Sequence, residues 1–330
     1  MYMIENLDLK DKKILYELDL NCRQSDSKIA KKVGLSRDSV RYRINKLVEK
    51  GYINYFMVVI NSMKLGYDWY RTFFKFQNLT LEKEKEIIEY LKERASWISK
   101  VEGVWDLNTG IFAKNVYEYR DIINDFLLKY SFFIERYNVA IVTREWTYHK
   151  SYFINKKKKT SKPILMGFDS KNDYKTEIID EIDYNILKTI LKNARMKTID
   201  IAEKIDSTEM VVRYRLKKLI QKDIIIGFKP FINVHKLGYT YFKLHLTLQN
   251  LTQEKKKNII NYIHLHPNTA HMTELVGGAD LETEFQVKSN EEFYRYVQDL
   301  RLKFGDIIRD YEFMQYTQEY KFTYLPEMNF

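Results

Sequence analysis

One face of a predicted helix near the amino-terminal end carries side chains that can form hydrogen bonds with DNA bases. These candidates are Arg37, Ser39, Arg41, Tyr42 and Asn45. Arginine can donate two hydrogen bonds to guanine and asparagine can pair similarly with adenine, and each such contact contributes about 1–3 kcal/mol of discrimination. The neighbouring Ser36, Arg43 and Lys46 are better suited to phosphate contacts, which fix position without reading sequence. The chemistry that these residues suggest is recognition of double-stranded DNA.

Structural roles compete with these assignments. Arg43 and its later counterpart Arg215 could instead form ion pairs with acids of their own domain. Tyr42 and Tyr214 could pack against a neighbouring β-hairpin. An ordinary amphipathic helix with a solvated basic face would show the same pattern. The sequence therefore defines the helix better than it defines the role of each side chain on it.

The elements that must position this face form a helix, a sharp turn and a second helix. Ile29, Ala30 and Val33 lie on one apolar stripe, and Gly34 can adopt the positive φ that ends the first helix. Ser36 can cap the second helix with its hydroxyl group. Its inward positions are expected to be Val40, Ile44, Leu47 and Val48. With a preceding helix over 8–22 and an apolar wing hairpin up to Ile60, residues 1–62 are predicted to form a winged helix-turn-helix domain.

The chain repeats this pattern. Asp11 corresponds to Asp183 and Thr80 to Thr252, both 172 residues apart, and Arg41-Tyr42-Arg43 recurs as Arg213-Tyr214-Arg215. In the second copy Asp206 replaces the turn glycine and Glu209 replaces Arg37. The second helix stays basic, and its DNA-contact candidates are Arg213, Tyr214, Arg215, Lys217 and Lys218. We therefore expect the first copy to read bases and the second to add mostly backbone affinity.

The remainder of each copy has alternating strand and helix signals. Residues 63–150 predict the order βαββαβ, a ferredoxin-like unit with its helices on one face of a sheet. Trp69, Arg71, Phe73 and Lys75 share a mixed aromatic and basic strand face that suits pairing with another sheet. The second copy comprises a winged helix over 177–234 and a ferredoxin-like unit over 235–330. Residues 151–176, with Lys156-Lys157-Lys158-Lys159, are expected to be an exposed basic linker. The predicted fold class is α+β.

Composition limits the remaining functions. The 330-residue chain has a formal net charge of +10, which supports a polyanionic partner but does not establish one. A single cysteine, Cys22, excludes an internal disulfide and a cysteine-cluster zinc site, and is expected to be a packing residue. No apolar run approaches the length of a membrane span, so no membrane partner and a cytoplasmic location are expected.

The pattern resembles the Lrp/AsnC family of feast/famine transcription regulators. The resemblance rests on Ile29-Ala30, Gly34-Leu35-Ser36, Gly51-Tyr52-Ile53 and the pair Gly103 and Asp106, and it covers nearly the whole chain twice. It implies DNA binding, pairing through the second domain, further homo-oligomers, and a small effector, commonly an amino acid. The positions that it implies for an effector are Gly103, Trp105, Asp106, Gly277, Gly278 and Asp280. A tight turn whose aspartate accepts backbone hydrogen bonds explains the same residues.

Typical family members carry one copy of each domain, so this chain is expected to imitate their dimer internally. A branch of the same architecture comprises siroheme decarboxylases, and the second copy offers His264, His266 and His271. His264 and His266 lack the accompanying ligands of a metal site and are expected in a surface loop, while His149 and His245 are expected to be ordinary sheet residues. No catalytic residue, cofactor or metal site is predicted. A nucleoid-type binder of low specificity, or a ligand sensor that does not bind DNA, would also be compatible with the sequence.

Overall fold

Each copy consists of three helices, a strand and a βαββαβ unit. The structure, a computed structural model, describes residues 7–155, 162–169, 174–328 and 330. The first copy contains α1 (Leu9–Leu20), α2 (Asp26–Val33), α3 (Arg37–Glu49), β1 (Ile53–Ile60), β2 (Asp68–Phe76), α4 (Leu81–Lys92), β3 (Trp97–Gly103), β4 (Leu107–Ala113), α5 (Val116–Tyr130) and β5 (Ile134–Thr147). A short strand, β6 (Ile164–Gly167), follows it.

The second copy repeats these elements in the same order. It contains α6 (Glu181–Ile190), α7 (Thr198–Lys204), α8 (Glu209–Gln221), β7 (Ile225–Ile232), β8 (Thr240–Leu248), α9 (Gln253–Leu265), β9 (Thr269–Val276), β10 (Leu281–Val287), α10 (Asn290–Phe304) and β11 (Ile308–Phe322). Helix starts follow the sequence signals, because the Thr80 and Thr252 hydroxyl groups accept the backbone N–H groups of Lys83 and Lys255. The expected α+β fold with two ferredoxin-like units is confirmed.

The two ferredoxin-like sheets pair edge to edge at both ends. β3 of the first copy pairs with β11, and β5 pairs with β9. Because β2 also pairs with β5, eight strands close in the order β2-β4-β3-β11-β8-β10-β9-β5, and β6 pairs with β5 on the same edge as β2, past the end of β2. An eight-stranded barrel leaves an interior just wide enough for side chains or one small ligand. The internal pseudo-dimer that the duplication predicted is therefore present.

The two faces of the barrel sheet have different partners. In the first copy Tyr70 and Phe74 pack outward against α4 and α5, in one core with Ile87 and Phe126. Trp69 and Phe73 alternate with them, point inward, and belong to a core that continues into both winged helices. The aromatic and basic strand face was predicted to meet another sheet, and it does so across the barrel.

The predicted wing hairpin is not formed within either copy. β1 instead pairs antiparallel with β7 of the other copy, with Ile53 opposite Ile232 and Val58 opposite Phe228. The expectation was wrong because each apolar stretch supplies one strand, and its hydrogen-bonding partner lies in the second copy rather than in the adjacent chain. This β1/β7 ribbon joins the two helix-turn-helix units.

Reciprocal side-chain contacts add to this junction. Arg23 donates a hydrogen bond to the carbonyl oxygen of Ala194, and Arg195 donates to that of Cys22, each at 2.5 Å. Cys22 is buried, as its assignment to packing requires, and burial raises the pKa of its thiol to about 12. The two winged helices therefore have a defined relative position.

Part of the stretch expected to be an exposed linker is packed. Tyr152 and Phe153 are buried in a short 3-10 helix, Ser151–Ile154, and β6 pairs with β5. Lys156 to Lys159 lie outside the described residues. Among the helices that the structure describes, none is long and apolar enough to cross a membrane.

Candidate nucleic-acid interface

The helix-turn-helix of the first copy follows its sequence signals closely. Gly34 adopts φ +67°, and the Ser36 hydroxyl group accepts the Ser39 backbone N–H at 3.1 Å. Val40, Ile44 and Leu47 are buried, so the opposite face of α3 is turned outward. Val48 was expected to face inward but is 39% exposed, because it lies past the edge of the buried stripe.

The outward face carries most of the predicted contact residues. Those exposed on α3 and at its cap are Ser36, Arg37, Arg41, Tyr42, Asn45 and Lys46, whereas Ser39 and Arg43 are half-buried. Tyr42 is 66% exposed and Tyr214 is 63% exposed, so neither packs against a hairpin. A duplex approaching α3 would meet these side chains directly.

Two arginines of this face have acidic neighbours at the surface. Arg37 lies 3.1 Å from the adjacent Asp38, and Arg41 Nε lies 3.1 Å from Asp26 Oδ2. Asp26 also pairs with Arg195 of the second copy at 2.5 Å. Surface ion pairs of this kind contribute only about 0–1 kcal/mol, so they can exchange for phosphate or base contacts.

Arg43 forms ion pairs within its own winged helix. Its Nη1 lies 2.7 Å from Asp11 Oδ1 and 2.8 Å from Asp8 Oδ2, and hydrogen bonds to these carboxylates raise the pKa of the guanidinium group. Arg215 repeats the arrangement with Asp180 at 2.7 Å and Asp183 at 3.3 Å. Both arginines therefore form ion pairs within their own winged helix, as the alternative to DNA contact predicted.

The second recognition helix has a different surface. Asp206 keeps the turn with a left-handed φ of +51°, although it lacks the freedom of glycine. Glu209 lies 2.7 Å from Arg213 Nη2 and also accepts a hydrogen bond from Thr198. At positions equivalent to Ser39 and Asn45, this copy has Val211 and Lys217. Arg213, Tyr214 and Lys217 are exposed, while Arg215 and Lys218 are half-buried.

The glycine-containing turns use their aspartates within the fold. Asp106 accepts the backbone N–H of Phe76 at 2.8 Å and lies 2.7 Å from Lys75 Nζ, and Asp280 accepts the N–H of Leu248 at 2.6 Å. Gly103 has φ +135°, and a side chain there would meet the Phe313 carbonyl oxygen at 2.8 Å. Gly277 and Gly278 also have positive φ, and Trp105 is buried. These contacts agree with the turn role that competes with an effector role.

Sequence reasoning missed a charged network inside the barrel. Arg71 pairs with both Glu145 and Glu282, and Lys243 Nζ lies 2.6 Å from Glu282 and 3.2 Å from Glu284. Burial opposes ionisation of Glu282, but Arg71 and Lys243 outweigh it and lower its pKa to about 2. Buried charges of this kind require such partners. The lone arginine on the aromatic strand face was the available signal.

The histidines do not form a cluster. His264 lies in α9, so the expected surface loop is wrong for it, whereas His266 follows this helix at the start of the α9–β9 connection and contacts Phe285 and Tyr296 edge-on. His271 points into the barrel, 3.7 Å from Glu145, and burial lowers the pKa of His245 in β8 to about 4. Within the described part of the chain, no group of three or more potential ligands is placed to hold a metal ion.

Comparison with known proteins agrees with the duplicated helix-turn-helix. A family model described as winged helix-turn-helix DNA-binding matches residues 7–54 and 179–226. An HTH-type transcriptional regulator of Pyrococcus abyssi is 31% identical over 132 residues, which cover 37% of this chain and 84% of that protein. The HTH-type transcriptional regulator LrpB of Bacillus subtilis is 27% identical over 128 residues, covering 39% of this chain and 84% of LrpB.

The doubled architecture is also found in a solved structure. The siroheme decarboxylase NirDL has a TM-score of 0.63 and 15% identity, covering 95% of this chain and 92% of that one. At this identity the likeness shows a common fold alone. The relatives that match a single copy lead to one assignment. The chain belongs to the Lrp/AsnC family of transcription regulators, with two family units joined in one polypeptide.

Proposed function

We propose that the chain is a sequence-specific DNA-binding transcription regulator in which α3 reads base edges and α8 mainly contacts the phosphate backbone. The observation that carries the proposal is the outward face of α3, where Arg41, Tyr42 and Asn45 are all exposed. A recognition helix reads DNA with side chains that project from such a face into the major groove. Ser36 and Lys46 lie at its ends, where phosphate contacts would fix its register.

The difference between the two helices supports unequal tasks. Asn45 can pair with adenine, whereas Lys217 at the equivalent position carries a charge suited to phosphate. Arg37 corresponds to Glu209, which would repel phosphate and which already holds Arg213. Lys217 and Lys218 keep α8 basic, and neither has an ion pair with a described residue within 4 Å. We therefore assign most of the base discrimination to the first copy.

The position of the two helices supports a two-part DNA site. The β1/β7 ribbon and the reciprocal contacts of Arg23 and Arg195 fix one winged helix against the other. Paired recognition helices contact half-sites at a set separation, about one helical turn or a multiple of it. We expect both copies to engage one duplex, with unequal sequence requirements in the two halves.

Family resemblance further implies a small effector and assembly into homo-oligomers. We carry both over as proposals, with the effector at Gly103, Trp105, Asp106, Gly277, Gly278 and Asp280, and we place the protein in the cytoplasm. Since Asp106 and Asp280 already accept backbone hydrogen bonds, an effector there would use their remaining acceptor capacity.

A binding competition tests the DNA proposal. Labelled duplexes from the upstream region of the chain's own gene are titrated with the full chain against scrambled duplexes of equal length and composition, at fixed salt. We expect a preference of about 1,000-fold or more for the best fragment, as is typical of specific regulators. Equal affinities would instead indicate the nucleoid-type binder, and binding to no duplex would leave the sensor that does not bind DNA.

The fold shared with NirDL is the reason to consider an enzymatic function. The charged residues of the barrel interior do not favour this function. A tetrapyrrole with several carboxylates needs cationic partners, but Arg71 and Lys243 are already committed to buried glutamates. Addition of siroheme to the purified chain tests this function. We expect no protein-dependent change in the absorbance spectrum, and a saturable change with loss of carbon dioxide would establish the enzyme.

A further inference from the structure

The barrel and the β1/β7 ribbon line a partly open cavity that has no part in the proposed DNA contacts. Its volume is about 340 Å³, and its walls include Met57 of β1, Pro230 of β7, and Trp97, Tyr316 and Glu319 from strands of the barrel. Sites for small molecules in proteins typically have volumes of about 300–1,000 Å³. The space is therefore large enough for a small organic ligand.

Duplication makes the charges around this cavity easy to compare. Glu145 of the first copy corresponds to Glu319 of the second, and Arg71 corresponds to Lys243. Glu145 pairs with Arg71, and Tyr324 donates it a hydrogen bond at 3.2 Å. Lys243 does not provide the same pairing for Glu319, because its ammonium group is held by Glu282 and Glu284.

Two positions cause this asymmetry, and at the first of them Glu282 stands where the first copy has Asn108. Glu284 stands where the first copy has Gly110, and it receives hydrogen bonds from Tyr241 and from Tyr316. Gly110 cannot take the same role, since a side chain there would overlap the Trp69 indole, with its Cβ 2.3 Å from Nε1. The second copy thus has two carboxylates more than the first around an equal number of cations. Among the described residues, Glu319 has no lysine or arginine within ion-pair distance.

Glu319 remains accessible within this enclosure. More than a third of its surface is accessible, whereas Glu282 and Glu284 are buried. Trp97 and Tyr316 line the cavity beside it, with their rings 6.2 Å apart between centroids, and Phe322 at the end of β11 and Tyr324 just beyond it also belong to the wall. Lys243 and Arg71 already lie over the Trp97 ring, 4.9 Å and 5.3 Å from its centroid, so the rings that line the cavity are available to the apolar part of a ligand rather than to its charge.

We propose that the barrel cavity binds a small organic cation, an ammonium group on an apolar body, with Glu319 as its counter-ion and Trp97 and Tyr316 against the apolar part. The site lies in the barrel interior and is distinct from the glycine-containing turns. It does not depend on the DNA-binding role of α3. An anionic ligand would instead meet Glu145, Glu284 and Glu319, while the two lysines of the described wall, Lys150 and Lys229, already pair with Asp19.

The electrostatics of Glu319 agree with this geometry. Enclosure by the protein raises the pKa of Glu319 to about 8, and repulsion by Glu284 adds to the effect, while the Trp97 N–H and the more distant Lys192 act in the opposite direction. An ammonium group beside Glu319 would supply the missing charge. Without such a ligand, the pKa of the Glu319 carboxyl group stays above its usual value.

Calorimetry with three matched probes tests the site. The full chain is titrated with 2-phenylethylamine, with the neutral 2-phenylethanol and with the anionic 3-phenylpropanoate at pH 8.5. We expect the amine to bind at least about tenfold more tightly than either analogue, because only the amine can form an ion pair with the Glu319 carboxylate. Glu319→Gln should weaken amine binding by about tenfold or more and leave 2-phenylethanol unaffected. Glu312→Gln, on the same strand but outside the cavity wall, is the control and should bind the amine as the native chain does.

Several results would overturn the assignment. They are absence of measurable amine binding, equal binding of amine and alcohol, and equal loss in the Glu312→Gln and Glu319→Gln variants. Near-ultraviolet circular dichroism of each variant confirms an intact barrel before titration. Preference for the anionic probe would show that the ligand carries the opposite charge, and it would also exclude the proposed cation site.

Discussion

The Asp19 carboxylate lies 3.0 Å from the Lys229 ammonium group, and this ion pair joins helix α1 of the first copy to strand β7 of the second. Asp19 is fully buried and also accepts the backbone N–H of Lys150 at 2.8 Å. Burial opposes its ionisation, but Lys229, Lys150 and His149 outweigh that effect and hold the pKa of Asp19 well below its usual value. The position equivalent to Asp19 in the second copy is Leu191, so this contact exists once.

Replacement of Asp19 should destabilise the chain strongly. Asp19→Asn leaves Lys229 and Lys150 buried without a counter-charge, and we expect the free energy of unfolding to fall by about 3–5 kcal/mol. Denaturant unfolding followed by circular dichroism measures it. Glu17→Gln, in the same helix, removes an exposed pair with Lys32 and should change stability by less than about 1 kcal/mol. Similar losses in both variants would show that the buried ion pair contributes no more to the free energy of unfolding than the exposed pair does.

Arg43 should matter for stability rather than for sequence discrimination. Arg43→Ala removes its contacts with Asp8 and Asp11, and because all three groups are partly solvated we expect a loss of about 1 kcal/mol. Thermal unfolding measures this loss, and competition binding at a temperature where the variant is folded measures discrimination. A variant of unchanged stability that no longer distinguishes sequences would reassign Arg43 to base contact.

The two recognition helices should respond differently to matched substitutions. Asn45→Ala should reduce the preference for the best duplex by about 1–3 kcal/mol with little change in salt dependence. Lys217→Ala, at the equivalent position, should leave the preference intact and reduce the slope of log affinity against log salt by about 0.9. Fluorescence anisotropy titrations at several salt concentrations give both quantities. Equal loss of discrimination from the two variants would refute the asymmetry.

Glu319 should make stability depend on pH with a defined sign. Its folded pKa of about 8 lies above the ordinary value of 4.5, so the folded state retains a proton that the unfolded state releases. Stability contributed by this group is therefore complete below about pH 4.5 and is lost as the pH rises towards 8. Relative to the native chain, Glu319→Gln should become more stable between pH 5.5 and pH 8.5 in urea unfolding. Parallel profiles would contradict the raised pKa.

Local signals in the sequence predicted the elements and the candidate helix well. Gly34 and Ser36 end and begin helices as their chemistry requires, and Asp206 keeps the left-handed turn without glycine. Local rules are sufficient at these positions because the start or end of a helix depends on residues within one turn of it.

Long-range pairing explains what the sequence did not reveal. The partner of Ile53 is Ile232, and no local pattern distinguishes such a pairing from a hairpin. Arg71 marked an unusual strand face, but its acids, Glu145 and Glu282, come from distant strands. The isolation of Glu319 could be recognised only after Lys243 had been placed between Glu282 and Glu284.

Selection of DNA from a random pool by the full chain tests the central claim most directly. We predict enrichment of a two-part site with fixed spacing, in which one half is strongly specified and the other weakly. Asn45→Ala should relax the strong half, and Lys217→Ala should leave it unchanged. A bound pool without enriched sequence, or one with two equally specified halves that both survive Asn45→Ala, would contradict the assignment of base reading to α3.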